Sequence, residues 1–153
     1  MKHRKILIFI LAMATVVEMH AENVGFVRRQ GTQFELNGKT FYFHHSNQYY
    51  LFYQSQAMVD EVFSDAAGLG LNVFRAWGSS EGVFKNGYCF QPSPGVYDEA
   101  TFRKMDYVIY RANQSNIRLI IPLVNNWDEF GGISKYVVWS PTASSHDQFY
   151  TDA

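Results

Sequence analysis

The stretch Leu71-Asn72-Val73-Phe74-Arg75-Ala76-Trp77 decides the fold. It is short and largely apolar, carries β-branched and aromatic residues, and follows Gly68 and Gly70, so it reads as a strand. Immediately upstream, Val59, Val62, Phe63 and Ala66 recur at the i, i+3, i+4, i+7 spacing of an amphipathic helix, and the two glycines supply its stop. Further upstream, Phe41-Tyr42-Phe43 opens another strand reaching about Asn47. Downstream, residues 78–97 make a long loop with Gly82, Gly87, Pro92, Pro94 and Gly95. A loop of that length without structure of its own is more often functional than ornamental. Asp98 is placed to cap a helix whose apolar face is Phe102, Met105, Ile109 and Ala112. Ile117 to Val124 then runs almost continuously apolar, as suits a parallel strand buried on both faces. Pro122 cannot donate to a ladder, so a kink is expected at the C-terminal end of that strand.

The order β-α-β-α-β predicts an α/β fold with parallel strands. Gly25–Arg29 and Gln33–Leu36, around Gly31-Thr32 and followed by the turn pair Asn37-Gly38, read as a small hairpin ahead of it. The length, 153 residues, would suit one ordinary domain. It is too short for a complete (β/α)₈ barrel, which takes about 250 residues. No GxGxxG, GxxxxGK[ST] or GxSxG occurs, which argues against dinucleotide-binding folds, P-loop enzymes and common esterases. With 13 Lys+Arg against 14 Asp+Glu the chain lacks the basic surplus that nucleic acid would require. The lone Cys89 excludes an intrachain disulfide or a cysteine-built zinc site, and a buried thiol is its expected state.

The N-terminus has a separate reading. Lys2, His3, Arg4 and Lys5 precede the apolar run Ile6 to Val17, after which come Glu18, Met19, His20 and Ala21. A basic start, a short apolar core and a small residue are the parts of a secretory signal peptide. The core is well short of the roughly 20 residues that span a bilayer. Residues 1–21 are therefore expected to be a signal peptide, leaving 22–153 as a secreted, mildly acidic chain with no membrane association after cleavage.

Polar and aromatic residues gather just past the strand ends, where parallel α/β folds bind ligands. Asn47, Gln48, Tyr49 and Tyr50 follow the first strand. Arg75-Ala76-Trp77 ends the second. The third runs into Asn125-Asn126-Trp127-Asp128-Glu129-Phe130-Gly131-Gly132. Rings at such a rim suit the apolar C–H face of a pyranose, with Asn, Arg and Tyr left for its hydroxyls. Each has a structural alternative. Trp77 and Trp127 could serve the core, and Asn125-Asn126 could form a turn. Arg75, at the end of an apolar strand, is expected to hold an ion pair. His44 and His45 point to opposite faces of a strand and cannot jointly hold a metal, so a structural role is expected. Asp128, Glu129 and Glu81 read as solvated loop carboxylates.

Taken together, the stretches Phe34-Glu35-Leu36-Asn37-Gly38-Lys39, Asn47 to Leu51, Val59-Asp60-Glu61-Val62-Phe63, Leu69 to Trp77, Gln91-Pro92-Ser93-Pro94-Gly95-Val96-Tyr97 and Leu123 to Gly132 carry a resemblance. The chain resembles the N-terminal part of glycoside hydrolase family 5, specifically the endo-β-1,4-mannanases, over about residues 25 to 150. The resemblance implies a TIM (β/α)₈ barrel of which this chain supplies about three βα units after a short hairpin, an incomplete barrel. It implies hydrolysis of mannan or glucomannan with retention, by two glutamates. One follows an Asn after strand four, and the other ends strand seven. Both lie past the third strand, so no catalytic glutamate is assigned among these residues. Arg75 is implied as active-site support on the nucleophile side, and Trp77 as a substrate contact in the −1 region. Asn125 and Trp127 are implied on a cleft-facing loop, and Tyr49 joins them as a substrate-binding candidate. His44-His45 and Gly78-Ser79-Ser80 depart from the usual pattern at the cleft floor. No metal, cofactor or protein partner is implied; the partner is β-mannan. The expected protein is the N-terminal fragment of a secreted endo-β-mannanase, inactive by itself. The alternative is a carbohydrate-binding or vestigial non-catalytic module.

Overall fold

The computed structural model describes residues 25–151. The expected signal peptide lies outside the described residues. The chain opens with an antiparallel meander of three short strands, β1 (Arg28–Gln30), β2 (Gln33–Leu36) and β3 (Lys39–Thr40). Asn37 and Gly38 make the turn into β3, both at positive φ, as an Asn-Gly turn requires. The expected hairpin thus gains a third strand.

The main sheet is parallel, in the sequential order β4 (His45–Asn47), β5 (Val73–Arg75), β6 (Arg118–Ile120). Its register aligns Asn47 with Arg75 and Arg75 with Ile120, so these positions lie side by side at the strand ends. Each strand is shorter than the sequence suggests. Residues 41–44 lie outside the ladder. Gly78 N–H donates to the Pro122 carbonyl, so Pro122 enters the pairing only as an acceptor and needs no donor of its own. The last strand is not buried on both faces as expected: Ile120 and Leu123 are exposed, and Arg118 and Leu119 half-buried. Among the described residues the sheet has three strands and does not close.

Two helices cover one face. In α1 (Gln56–Gly68) Ser55 accepts from Met58 N–H as N-cap, and Val59, Phe63 and Ala66 are buried. Gly70, at positive φ, ends the helix while Leu71 N–H returns to the Ala66 carbonyl, a Schellman-type stop. In α2 (Glu99–Gln114) Asp98 caps as expected, accepting from Thr101 N–H at 3.0 Å and the Thr101 hydroxyl at 2.6 Å. The buried face of α2 is Thr101, Met105, Val108 and Ala112. Phe102 and Ile109, assigned to it from sequence, are exposed. A polar Thr101 can be buried because its hydroxyl also accepts from Cys89 N–H at 3.0 Å. Asp60 of α1 ties the helices together, with Arg111 Nε at 2.6 Å and the Tyr107 hydroxyl at 2.8 Å. Phe52, Phe63, Phe74 and Phe90 lead the core between helices and sheet.

The stretch 78–97 is not structureless. Glu81 bridges Gln91, Lys85 bridges Tyr88 across Asn86-Gly87, and Ser93 bridges Val96. Cys89 is a buried free thiol whose Sγ donates to the Ser80 carbonyl at 3.3 Å.

Candidate functional site

Past the C-terminal ends of β4, β5 and β6 opens a cleft of about 350 Å³ lined by Asn47, Tyr49, Arg75, Trp77, Asn125, Trp127, Glu129 and Phe130. All five residues singled out from sequence, Tyr49, Arg75, Trp77, Asn125 and Trp127, lie on it. The ladder explains part of this convergence, because Asn47 and Arg75 are register partners on neighbouring strands. Gln48 N–H donating to the Arg75 carbonyl carries the pairing one residue further and brings Tyr49 to the rim.

Arg75 makes no ion pair among the described residues, contrary to expectation. Its guanidinium lies 4.7 Å from the centre of the Trp77 ring, a cation–π contact that keeps the charge at the exposed cleft surface. Trp77 is half-buried, and its indole N–H, itself shielded from solvent, has no partner among the described residues. Trp127 is 69% exposed and turns a flat apolar ring to the open side. The cleft therefore offers indole faces beside the exposed Arg75 guanidinium, the combination a sugar ring uses.

Phe130, to which the sequence pattern gives no role, is the hub of the wall. Trp77 packs on it at 5.9 Å and Tyr49 at 6.3 Å from the cleft, Phe52 at 6.0 Å and Tyr53 at 6.3 Å from the core. Burial chiefly, with the neighbouring Tyr49 and Tyr50, raises the Tyr53 pKa. Lys85 Nζ lies 4.9 Å from the Phe130 ring centre.

The loop bearing Trp127 and Phe130 is built on Asn125. Its Nδ2 donates to the Glu129 carbonyl at 2.8 Å, its Oδ1 accepts from Trp127 N–H at 3.3 Å, and its carbonyl accepts from Ile133 N–H at 2.8 Å. Asn125 is thus both the turn residue and a cleft residue; the two readings left open by sequence coincide. The loop ends in Phe130, Gly131 and Gly132, at φ of 68°, 102° and 63°, and leads into α3 (Gly132–Trp139).

Glu81, expected to be solvated, is 2% exposed. Its N–H donates to the Phe130 carbonyl at 2.7 Å and its Oε2 accepts from Gly132 N–H at 2.9 Å. Burial raises its pKa above the ordinary 4.5, against the opposing pull of the Gly132 hydrogen bond. Tyr136 of α3 donates to Gln91 Oε1 at 2.9 Å, and burial, reinforced by the Glu81 charge, pushes it up to about 12. A carboxylate in a Gly-rich loop carries no periodic signal, so nothing in the sequence marked Glu81 as buried.

Asp128 and Glu129 are exposed, as expected. His45 packs against Phe43 at 5.7 Å, and His44 is engaged through its backbone N–H to Asn72 Oδ1. Among the described residues no group of three His, Cys, Asp or Glu side chains is placed to hold a metal ion.

The chain has counterparts in sequence and in fold. The model of the family described as "GH family 5 beta-mannosidase-like" matches residues 24–151. Putative mannan endo-1,4-beta-mannosidase P of Arabidopsis thaliana is 42% identical over 164 residues, covering 95% of this chain and 39% of that protein. Mannan endo-1,4-beta-mannosidase 5 of Solanum lycopersicum is 41% identical over 144 residues, covering 88% and 34%. The crystal structure of the endo-1,4-beta-mannanase from Rhizomucor miehei superimposes with a TM-score of 0.75 at 37% identity, over 84% of this chain and 37% of that one. The chain therefore spans well under half the length of these relatives.

Proposed function

The chain belongs to the glycoside hydrolase family 5 β-mannosidase-like family, as part of its TIM-barrel fold, and from that membership we propose that it supplies the first three βα units of an endo-β-1,4-mannanase. The whole protein hydrolyses mannan or glucomannan with retention. In these units the cleft binds mannosyl residues: Trp127 and Trp77 stack on pyranose faces, Tyr49 and Asn125 complete the wall, and Arg75 serves the hydroxyls and the nucleophile side. The single observation that carries this reading is that the five residues picked from sequence line one cleft at the strand ends.

Retaining hydrolysis needs two carboxyl groups about 5–5.5 Å apart across the bond. The residues lining this cleft include one carboxylate, Glu129, which is exposed. The catalytic pair is assigned to the part of the family fold beyond these units, and the 153 residues alone bind without cleaving. The basic start and apolar run of residues 2–21 support secretion.

A second reading, a non-catalytic carbohydrate-binding module, draws on the same aromatic cleft, complete within the described residues. One set of measurements tests what the two share. Purified chain is titrated with β-1,4-mannohexaose and assayed for new reducing ends on mannan. Binding without cleavage is expected, and cleavage by pure chain would sink the assignment of the catalytic pair elsewhere. Trp127→Ala should weaken binding about tenfold or more, on the scale of an exposed aromatic anchor, while leaving the melting temperature unchanged. Unaltered affinity would refute the stacking role. The transcript separates the readings directly: the enzyme requires an open frame past codon 153 with an Asn-Glu pair, and the module requires none.

A further inference from the structure

Glu81 poses a question that sugar stacking does not answer. A carboxylate 2% exposed is costly unless something is gained from its charge. No Lys or Arg pairs with it among the described residues. Its carboxylate accepts from a backbone N–H, that of Gly132, at the first residue of α3. There the unpaired N–H groups of a helix favour a negative charge.

What it holds is a strained turn. Phe130, Gly131 and Gly132 lie in sequence at positive φ. For Phe130 that conformation is costly and persists only when its surroundings impose it. Glu81 engages all three residues. Its N–H holds the Phe130 carbonyl. Its own carbonyl lies against Gly131 so closely that a Cβ there would overlap it. Its carboxylate holds Gly132. Phe130 in turn carries Trp77 and Tyr49, and Trp127 stands on the same loop.

We infer that Glu81 is the positioning residue that fixes the Trp127–Phe130 wall of the cleft and thereby sets its fit to a mannosyl chain. The fit to sugar rests on the function proposed above; the hold on the loop does not.

The test reads the two separately in the full chain labelled with 5-fluorotryptophan. Trp127 is assigned by Trp127→Phe. In Glu81→Ala the fluorine resonance of Trp127 should shift or broaden, without any sugar present. An unchanged Trp127 resonance overturns the inference. Should Glu81→Ala fail to fold, Glu81→Asp draws the carboxylate back by one methylene with little loss of volume. It should displace the same resonance, and silence there is equally decisive.

Affinity for β-1,4-mannohexaose is then measured in a double-mutant cycle. Glu81→Ala should weaken binding about tenfold in the native background and have little further effect once Trp127 is alanine, the non-additivity expected of coupled residues. Equal losses in both backgrounds would mean a merely structural role and would overturn the positioning role. A displaced Trp127 resonance in a chain whose unmutated form does not bind mannohexaose would leave the hold on the loop standing and refute the mannan reading instead.

Discussion

The two sides of the sheet are held by opposite kinds of structure. On the helix side, α1 and α2 form at regular spacing, begin at side-chain caps and press a repeating set of apolar residues onto Phe74. What joins them to each other is half-exposed: the Asp60–Arg111 pair leaves 46% of the Asp60 side chain in solvent, so it contributes at most about 1 kcal/mol. On the cleft side almost nothing repeats. Residues 125–132 and the 78–97 stretch are held by single backbone bonds, an Asn-centred turn, consecutive positive φ angles and a buried carboxylate. Redundant packing tolerates local loss, whereas a turn fixed by a few irreplaceable bonds does not. The side that presents aromatic rings to a ligand is the one with the least redundancy.

The sharpest way to break this contrast is Gly131→Ala. The φ of 102° is strained for any L side chain, and a Cβ would overlap the backbone of Glu81 rather than a movable side chain. The two penalties together should cost about 3–5 kcal/mol. Gly70→Ala, at the end of α1, is the matched control, with φ of 70° and nothing within 4 Å of the added carbon; it should cost about 1 kcal/mol, the left-handed penalty alone. Urea denaturation of both variants checks this. Equal losses would mean that the cleft loop has room to relax and the contrast is false.

A smaller effect is expected on the helix side. Ser55→Ala removes the cap of α1 and should cost about 1 kcal/mol, with the cleft untouched and mannohexaose affinity unchanged. A change in affinity would show that the two sides are coupled through α1 and that the contrast between them is false.

The same contrast decides what was legible in the sequence. Both main helices, the Asp98 cap and the parallel order follow from periodicity and capping chemistry, which are local. The buried face of α2 is ambiguous in sequence because Phe102-Met105-Ile109-Ala112 and Thr101-Met105-Val108-Ala112 share the helical spacing. Hydrophobicity favours the first set; the hydroxyl of Thr101, satisfied by Asp98 and Cys89, permits the second. The cleft residues were legible because strand ends of a parallel sheet collect them. Glu81 and Phe130 were not, since their roles depend on two loops meeting across 49 residues of chain, a contact no window of sequence contains.

The smallest expected effect is in pH, and its sign separates the two sides again. Asp98 on the helix side has a lowered pKa, first through the Thr101 hydroxyl. It therefore adds stability above its ordinary 3.8 that is lost as pH falls through the folded value. Glu81 on the cleft side has a raised pKa, first through burial. The folded chain holds that proton more tightly than the unfolded one, so its contribution is present in full below 4.5 and is lost as pH rises through the raised value. Tyr136, the titratable neighbour that feels this charge, stays neutral throughout the window because its own pKa is pushed up to about 12. Stability should fall on both the acid and the neutral limb, the second by less than about 1.4 kcal/mol per pH unit, the limit for one proton. Glu81→Gln removes the titrating group while keeping an oxygen for Gly132, and should flatten the neutral limb alone. Urea midpoints from pH 3 to pH 7 test this: a neutral limb that survives the substitution would mean that Glu81 does not titrate there, and that its buried charge costs the fold nothing.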